Sequence, residues 1–321
     1  MKRAHAQRGA ALLLAMLTVT LVATFAATAL WQQWRAVEVE QSERARSQSA
    51  WVLIGALDWA RLILREDGRA SGANGPDHLA EPWAVPLQES RMSTFLAAEN
   101  GVNQGGDEGL PEVFLSGSIV DLQSRMNVAN LVDATNGELR EAPLKAFTRL
   151  FELLGLPQAE LQTMAENLRR ASQKQTDDGA DVPLRPERFE QLIWLGVSPA
   201  TLRALEPHVT LLPQSGTKIN LNTASAQVIA ASSGDLDLAD AQRLVQARTN
   251  SPLRDVPSAV KILSPDGLPA TTDYSVNSGY FEVNGRLRME GTVVSERSLV
   301  QRNNNVVTTI WRQRVAGERQ P

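Results

Sequence analysis

The feature that most limits how this chain can fold is an apolar run with no charge between Ala10 and Trp34. An α-helix rises about 1.5 Å per residue, so roughly twenty such residues span the ~30 Å hydrocarbon layer of a bilayer. The chain is therefore expected to sit in a membrane, with everything after the run outside it. Lys2, Arg3 and Arg8 precede the run. Their charge favours a cytoplasmic N-terminus and sends the remainder across.

Three readings of this start compete. A secretory signal peptide has an apolar region of about 7 to 15 residues followed by a small-residue cleavage site. This run is longer, and Thr28-Ala29-Leu30-Trp31 makes a poor site. A plain anchor is the second reading. The third is a type IV prepilin leader, a short basic peptide ending in Gly and cut on the cytoplasmic side while the apolar helix is kept. Arg8-Gly9-Ala10-Ala11-Leu12-Leu13-Leu14 resembles that signal, with cleavage between Gly9 and Ala10. It departs from it twice: Ala10 would open the mature chain where Phe or Met is usual, and Leu14 stands fifth where nearly all pilins carry Glu.

A length of 321 residues allows one large or two modest domains. The net charge is −4, and loss of residues 1–9 would make it −7. An acidic outer part argues against holding a phosphate backbone as its main task. Cysteine is absent, which excludes disulfides, thiolate metal sites and thiol nucleophiles. No H-E-x-x-H, G-x-S-x-G or phosphate loop occurs, and no nucleophile–base pair can be named, so the chain is not expected to be an enzyme.

The first helix is expected to continue past the membrane to about Arg65. Proline is absent there, and Trp51, Ile54, Leu57 and Leu62 return near helical spacing. Trp51 and Trp59 read as packing residues. The breakers Gly68 and Ser71-Gly72-Ala73-Asn74-Gly75-Pro76 stop it. Trp83–Pro86 reads as an edge strand, 100–109 as a flexible loop and Phe114–Asp121 as a strand. Residues 126–270 change character. Glu138 to Arg170 reads as two helices split at Gly155-Leu156-Pro157. Phe189–Leu195, Pro199–Leu205, Ala224–Ala231 and Leu238–Arg248 read as shorter helices, with Asn222 or Thr223 as a cap. Tyr280–Met289, Thr292–Val300 and Val306–Arg312 alternate at period two and read as an antiparallel meander, with Asn303-Asn304-Asn305 as a turn. An internal echo pairs Arg125-Met126-Asn127-Val128-Ala129-Asn130-Leu131 with Lys218-Ile219-Asn220-Leu221-Asn222-Thr223-Ala224. It reads either as two helix caps or as two copies of one small module.

Taken together, Arg8-Gly9, the missing Glu at Leu14, the segments Ser118–Asn127 and Lys218–Ser225, and the closing meander resemble the general secretion pathway protein K family. These are the large minor pseudopilins of type II secretion. The resemblance runs from residue 1 to about 315. It implies an α+β, pilin-like fold, a long N-terminal helix packed on an antiparallel sheet, interrupted by an inserted all-α (SAM-like) subdomain. The implied parts are a leader at 1–9, a transmembrane half-helix at 10–34, pilin-like segments at 35–125 and 271–321, and the insertion at 126–270.

The resemblance also implies a role at the tip of the pseudopilus, starting its assembly for protein export across the outer membrane. Implied partners are the type I and type J minor pseudopilins, the major pseudopilin, the inner-membrane secretion platform and the prepilin peptidase, which would remove the leader and leave a new amine for methylation. The chain would cross the inner membrane once, with its bulk periplasmic. A carboxylate in lipid costs about 2.5–3.5 kcal/mol. A subunit with no predecessor would have no amine to pair with it, and Leu14 removes that cost. Val52, Gly55, Trp59 and Leu62 offer an apolar helix face to a partner helix.

Two further readings remain. Asn220–Ala224 followed by Gly234 and a second helix resembles a helix-hairpin-helix DNA-binding motif and would suit a membrane-anchored uptake protein. Its hairpin carries Asp235, Asp237 and Asp240, however, and no nucleic-acid partner is expected. The same aspartates, or Asp177, Asp178 and Asp181, could supply oxygen ligands to Ca²⁺, though neither set has EF-hand spacing. No other cofactor is expected.

Overall fold

The computed structural model describes residues 8–70, 72, 75–92, 112–173, 182–234, 236–263, 273–289 and 292–315. Two compact units emerge, residues 1–54 and 55–321. Within the first lies most of helix α1 (Arg8–Ala70). Its apolar stretch is long and apolar enough to cross a membrane, and none of that stretch is buried. The hydroxyls of Thr18, Thr20, Thr24 and Thr28 donate to carbonyls three or four residues back, so they need no water. Beyond Trp34 the exposed pairs Glu40–Arg44 and Glu43–Arg46 support the helix at i,i+4 and i,i+3 spacing. The helix ends at Ala70, just before Gly72, whose φ of +80° suits glycine.

The second unit is built on a five-stranded sheet of order β1-β2-β7-β8-β9, every neighbouring pair antiparallel. The strands are β1 (Leu87–Arg91), β2 (Val113–Asp121), β7 (Tyr280–Met289), β8 (Thr292–Asn303) and β9 (Val306–Val315). β2 pairs with β7 from Val113↔Met289 to Asp121↔Phe281, although about 160 residues separate them in sequence. This pairing closes the sheet around everything between. It requires Gly117: a Cβ there would stand 2.7 Å from the Asn284 carbonyl oxygen. The meander follows the expected period of two, and Asn304 turns it with φ 52°.

Alternation along the strands gives the sheet two working faces. Phe281, Val283, Val300 and Val307 bury one face against Leu57, Ala60 and Leu64 of α1 and against Trp83. Trp83 meets Phe281 edge-on, ring centroids 5.2 Å apart. Tyr280 and Leu299 bury the other face with Leu122 and Leu212, and Trp311 packs beside them. Leu299 and Val300 take opposite faces by this alternation, and the β8–β9 register shifts between them because β9 carries one extra residue, Ile310.

Between β2 and β7 the chain makes two similar helical modules. The first opens on β3 (Met126–Asn127) and closes on β4 (Val209–Thr210), paired in parallel. It holds α2 (Glu141–Leu153), α3 (Gln158–Ser172), a 3₁₀ helix at Phe189–Leu195 and α4 (Pro199–Leu205). The second opens on β5 (Ile219–Asn220) and closes on β6 (Tyr274–Ser275), again in parallel. It holds α5 (Ala226–Ser232), α6 (Leu238–Asn250) and α7 (Val256–Leu263). One continuous core, with Phe147, Phe151, Leu192, Leu221, Ile229 and Leu244 among its members, runs through both.

Several expectations need correcting. Pro82–Ala84 is a 3₁₀ turn, not an edge strand. Pro82 starts it with a fixed φ, and Trp83 is swallowed by the core with its Nε1 donating to Glu81 at 2.7 Å. The edge strand begins only after Pro86. The first helix of the insertion starts at Glu141, because Gly137 (φ +72°) and the Val132↔Leu139 bridge hold a turn before it. Phe189–Leu195 forms the expected short helix, of the 3₁₀ type. The cap of α5 is Ser225, whose hydroxyl accepts from the Val228 amide, and neither Asn222 nor Thr223. Helix α7 was not expected at all. Trp51 is exposed and does not pack. The loop expected at 100–109 lies outside the described residues.

Candidate functional site

The candidate sites are surfaces and the polar contacts that hold them. The first is a face of α1. Residues 57, 60 and 64 fall on one stripe, and that stripe meets the sheet. Gly55, Trp59 and Leu62 fall on the opposite side. Gly55 is exposed, and nothing lies within 4 Å of where its Cβ would be. Leu62 is 40% exposed and Trp59 half-buried. Val52, one turn earlier and in the first unit, is half-buried. The subunit's own sheet thus leaves Gly55 and Leu62 exposed. Gly9 and Ala10 lie in the first turn of α1, and Leu14 is exposed on it.

The second candidate is a buried polar node. Asp121, at the end of β2, is buried and accepts four hydrogen bonds. They come from Thr223 Oγ1 at 2.5 Å, Ser278 Oγ at 2.7 Å, the Gln123 amide at 2.8 Å and Asn220 Nδ2 at 3.1 Å. Burial pushes the Asp121 carboxyl up, and those donors pull it back. Asn220 Nδ2 also donates to the Asp77 carbonyl at 3.1 Å, while Asn220 Oδ1 accepts from the Asn222 amide. Asp77 in turn accepts from the Ser278 amide and from Arg302 at 2.5 and 2.6 Å. Arg302 reaches Asp67 at 2.9 Å and the Leu64 carbonyl at 3.3 Å, both on α1. The node therefore ties α1, β2, β8 and the second module together. Oxygens of Asp67, Asp77 and Glu81 gather within 4.8 Å of one another. Arg302 already supplies a cation to two of the three.

Asn127 repeats the Asn220 arrangement at the start of the first module. Its Oδ1 accepts from the Ala129 and Leu212 amides, and its Nδ2 donates to the Gln214 carbonyl and Thr217 Oγ1. The echo seen in sequence is thus two parallel-strand openings, each with a buried asparagine as its second residue. Chain spacing showed the echo but not the node, whose members lie far apart in sequence and carry no regular interval.

The acidic hairpin holds little free chemistry. Asp237 caps α6 by accepting from the Asp240 amide at 2.7 Å, and Asp240 pairs with Arg243. Arg248 is buried, donates to the Leu221 carbonyl, and is pushed down to about 10 by burial. Arg248 is thus committed to the protein interior, while Arg243 stays largely exposed beside Asp240. Asp177, Asp178, Asp181 and Asp235 lie outside the described residues.

Two family models match this chain. Both are described as type II secretion system protein K, over residues 124–214 and 219–277. Those spans enclose the two helical modules one for one. Type II secretion system protein K of Klebsiella pneumoniae is 24% identical over 334 aligned residues, covering 96% of each chain. The protein of the same name from Pectobacterium carotovorum subsp. carotovorum is 25% identical over 341 residues, again covering 96% of each. Among solved structures, a chain of the GspK–GspI–GspJ complex from the enterotoxigenic Escherichia coli type 2 secretion system has the same fold. The TM-score is 0.62 at 18% identity, over 86% of this chain and 99% of that one.

The node makes stability depend on pH. Asp77 is raised from 3.8 to about 7 by burial, which outweighs the pull of Arg302 and the Ser278 amide. Between those two values the folded state keeps a proton that the unfolded chain has released, so stability falls as pH rises. Raising the pH from 6 to 8 should cost about 1 kcal/mol through Asp77. Urea unfolding of a soluble form beginning after Trp31 measures this. Asp77→Asn should reduce the pH 6-to-8 difference by that amount, and an equal difference in wild type and variant would contradict it.

Proposed function

We propose a function from one premise: the chain belongs to the type II secretion system protein K family. It is a minor pseudopilin of type II protein secretion. We further infer that it sits at the tip of the periplasmic pseudopilus and starts its assembly. The observation that supports assembly with neighbouring subunits is the division of α1 into a stripe buried on the subunit's own sheet and an opposite apolar face left open at Gly55 and Leu62. A structural neighbour was solved together with two partners, GspI and GspJ. Counterparts of those two are the partners proposed for this chain, engaging the open face at Gly55 and Leu62. Gly55 lets another helix approach closely. The apolar start of α1 supports an inner-membrane anchor, and Lys2, Arg3 and Arg8 support a cytoplasmic N-terminus.

The tip position rests on Leu14. A Glu there would be an ionisable group in lipid needing a partner amine from a preceding subunit. Leucine carries no such requirement. Cleavage between Gly9 and Ala10 by a prepilin peptidase should leave Ala10 as the first residue of the membrane-bound protein. Mass spectrometry of that protein tests it, and an intact Met1 would refute it. In the same strain Leu14→Glu should impair secretion, and unaltered secretion would count against the tip position.

Assembly itself is tested by mixing. A soluble form beginning after Trp31 should form a stoichiometric complex with the two smaller minor pseudopilins of the same system. Leu62→Arg, placed on an exposed position, should weaken that complex at least tenfold while leaving circular dichroism unchanged. A complex of undiminished affinity would remove the helix face from the interface.

A further inference from the structure

A cleft of about 330 Å³ lies where the two helical modules meet, and its charge is one-sided. Arg140, Lys145, Arg149 and Lys218 line it against one acid, Asp273. This stands out in a chain whose net charge is −4. Lys145 reaches Glu141 at 2.6 Å, an exposed pair that neutralises little. Arg149 donates to the Ala231 carbonyl at 2.8 Å and to the Ser232 carbonyl at 3.5 Å. Those neutral acceptors at the end of α5 fix the guanidinium without cancelling its charge. Arg140 interacts electrostatically with Asp133, and Lys218 is exposed and forms no ion pair among the described residues. Ala142, Gly216 and Gly234 keep the rim low and open to solvent.

We propose that this cleft binds an acidic peptide segment of a partner protein, its carboxylates meeting Lys218, Arg140 and Arg149. Charge complementarity selects the occupant: among the described residues four basic side chains line the walls against Asp273, with Glu141 beside Lys145 and Asp133 near Arg140 at the edges. A single oxyanion would fill a small part of the space, since one water takes about 30 Å³. A nucleic acid needs a basic track leading away from the cleft. The neighbouring hairpin instead carries Asp237 and Asp240, Arg248 is buried on the Leu221 carbonyl, and Arg243 stands beside Asp240. Because the walls come from both modules, a bound segment would bridge them. The site lies wholly on the two helical modules and does not depend on the open face of α1.

The test uses the full chain in micelles of an uncharged detergent and a fluorescein-labelled hexaglutamate peptide, read by fluorescence anisotropy. Hexaglutamate should bind saturably, more weakly as salt is raised, and labelled hexalysine should not bind. Lys218→Glu should weaken hexaglutamate at least tenfold. Arg203→Glu makes the same charge change on an exposed residue of α4 away from the cleft, and should weaken it less than twofold. The milder Lys218→Gln, expected to weaken it about threefold, guards against misfolding. The proposal is overturned if hexaglutamate does not bind saturably or if Arg203→Glu costs as much as Lys218→Glu. It is also overturned if sulfate at matched ionic strength displaces the peptide completely. A twelve-nucleotide DNA that outcompetes hexaglutamate and itself depends on Lys218 would overturn it in favour of a nucleic-acid groove.

Discussion

The second unit rests on one packing event, the seating of Leu57, Ala60 and Leu64 on Phe281, Val283, Val300 and Val307. A helix has one stripe to give to a flat sheet, and spending 57, 60 and 64 leaves 55, 59 and 62 facing away. Each fully buried leucine contributes about 1.5–3 kcal/mol, so this stripe cannot rotate to present another face. Polar contacts fix the helix lengthwise as well. Arg61 donates twice to the Val307 carbonyl on β9, and Arg302 on β8 reaches Asp67 and the Leu64 carbonyl. The open face is therefore a consequence of the closed one.

The insertion must attach to this platform without disturbing it. It does so at the ends of β2 and β7, where Asp121 collects Asn220, Thr223 and Ser278. A carboxylate buried without donors would cost several kcal/mol, and four donors repay that cost only while the second module is docked. On the other side of the sheet Leu212 joins Leu122, Tyr280 and Leu299 and brings the first module down. The two modules share one core, so fixing each at its own asparagine fixes the pair.

Elements governed by local periodicity were readable from the chain. The meander over 280–315 shows period two, and Glu141–Ser172 shows three-and-four spacing around a Gly155-Leu156-Pro157 break. What long-range contact decides was not. Pro82–Ala84 turns because Trp83 finds a core from strands nearly two hundred residues later. Helix α7 begins Val256-Pro257, which reads as a breaker although proline is well suited to a first turn. The node joins Asp77, Asp121, Asn220, Ser278 and Arg302, single polar residues with no mutual spacing. Only the recurring basic-apolar-Asn pattern at 125–127 and 218–220 left a trace. The open face of α1 was half legible: its apolar residues were visible, while the choice between sheet and solvent needed the fold.

The central claim is that the side of α1 turned away from the sheet meets a neighbouring subunit. Site-specific photo-crosslinking tests it in intact, secreting cells. A photoreactive side chain at position 55 has open space to occupy. The account predicts a covalent product containing this chain and one smaller pseudopilin. Secretion proceeding normally with no such product, or with products internal to the chain only, would contradict it.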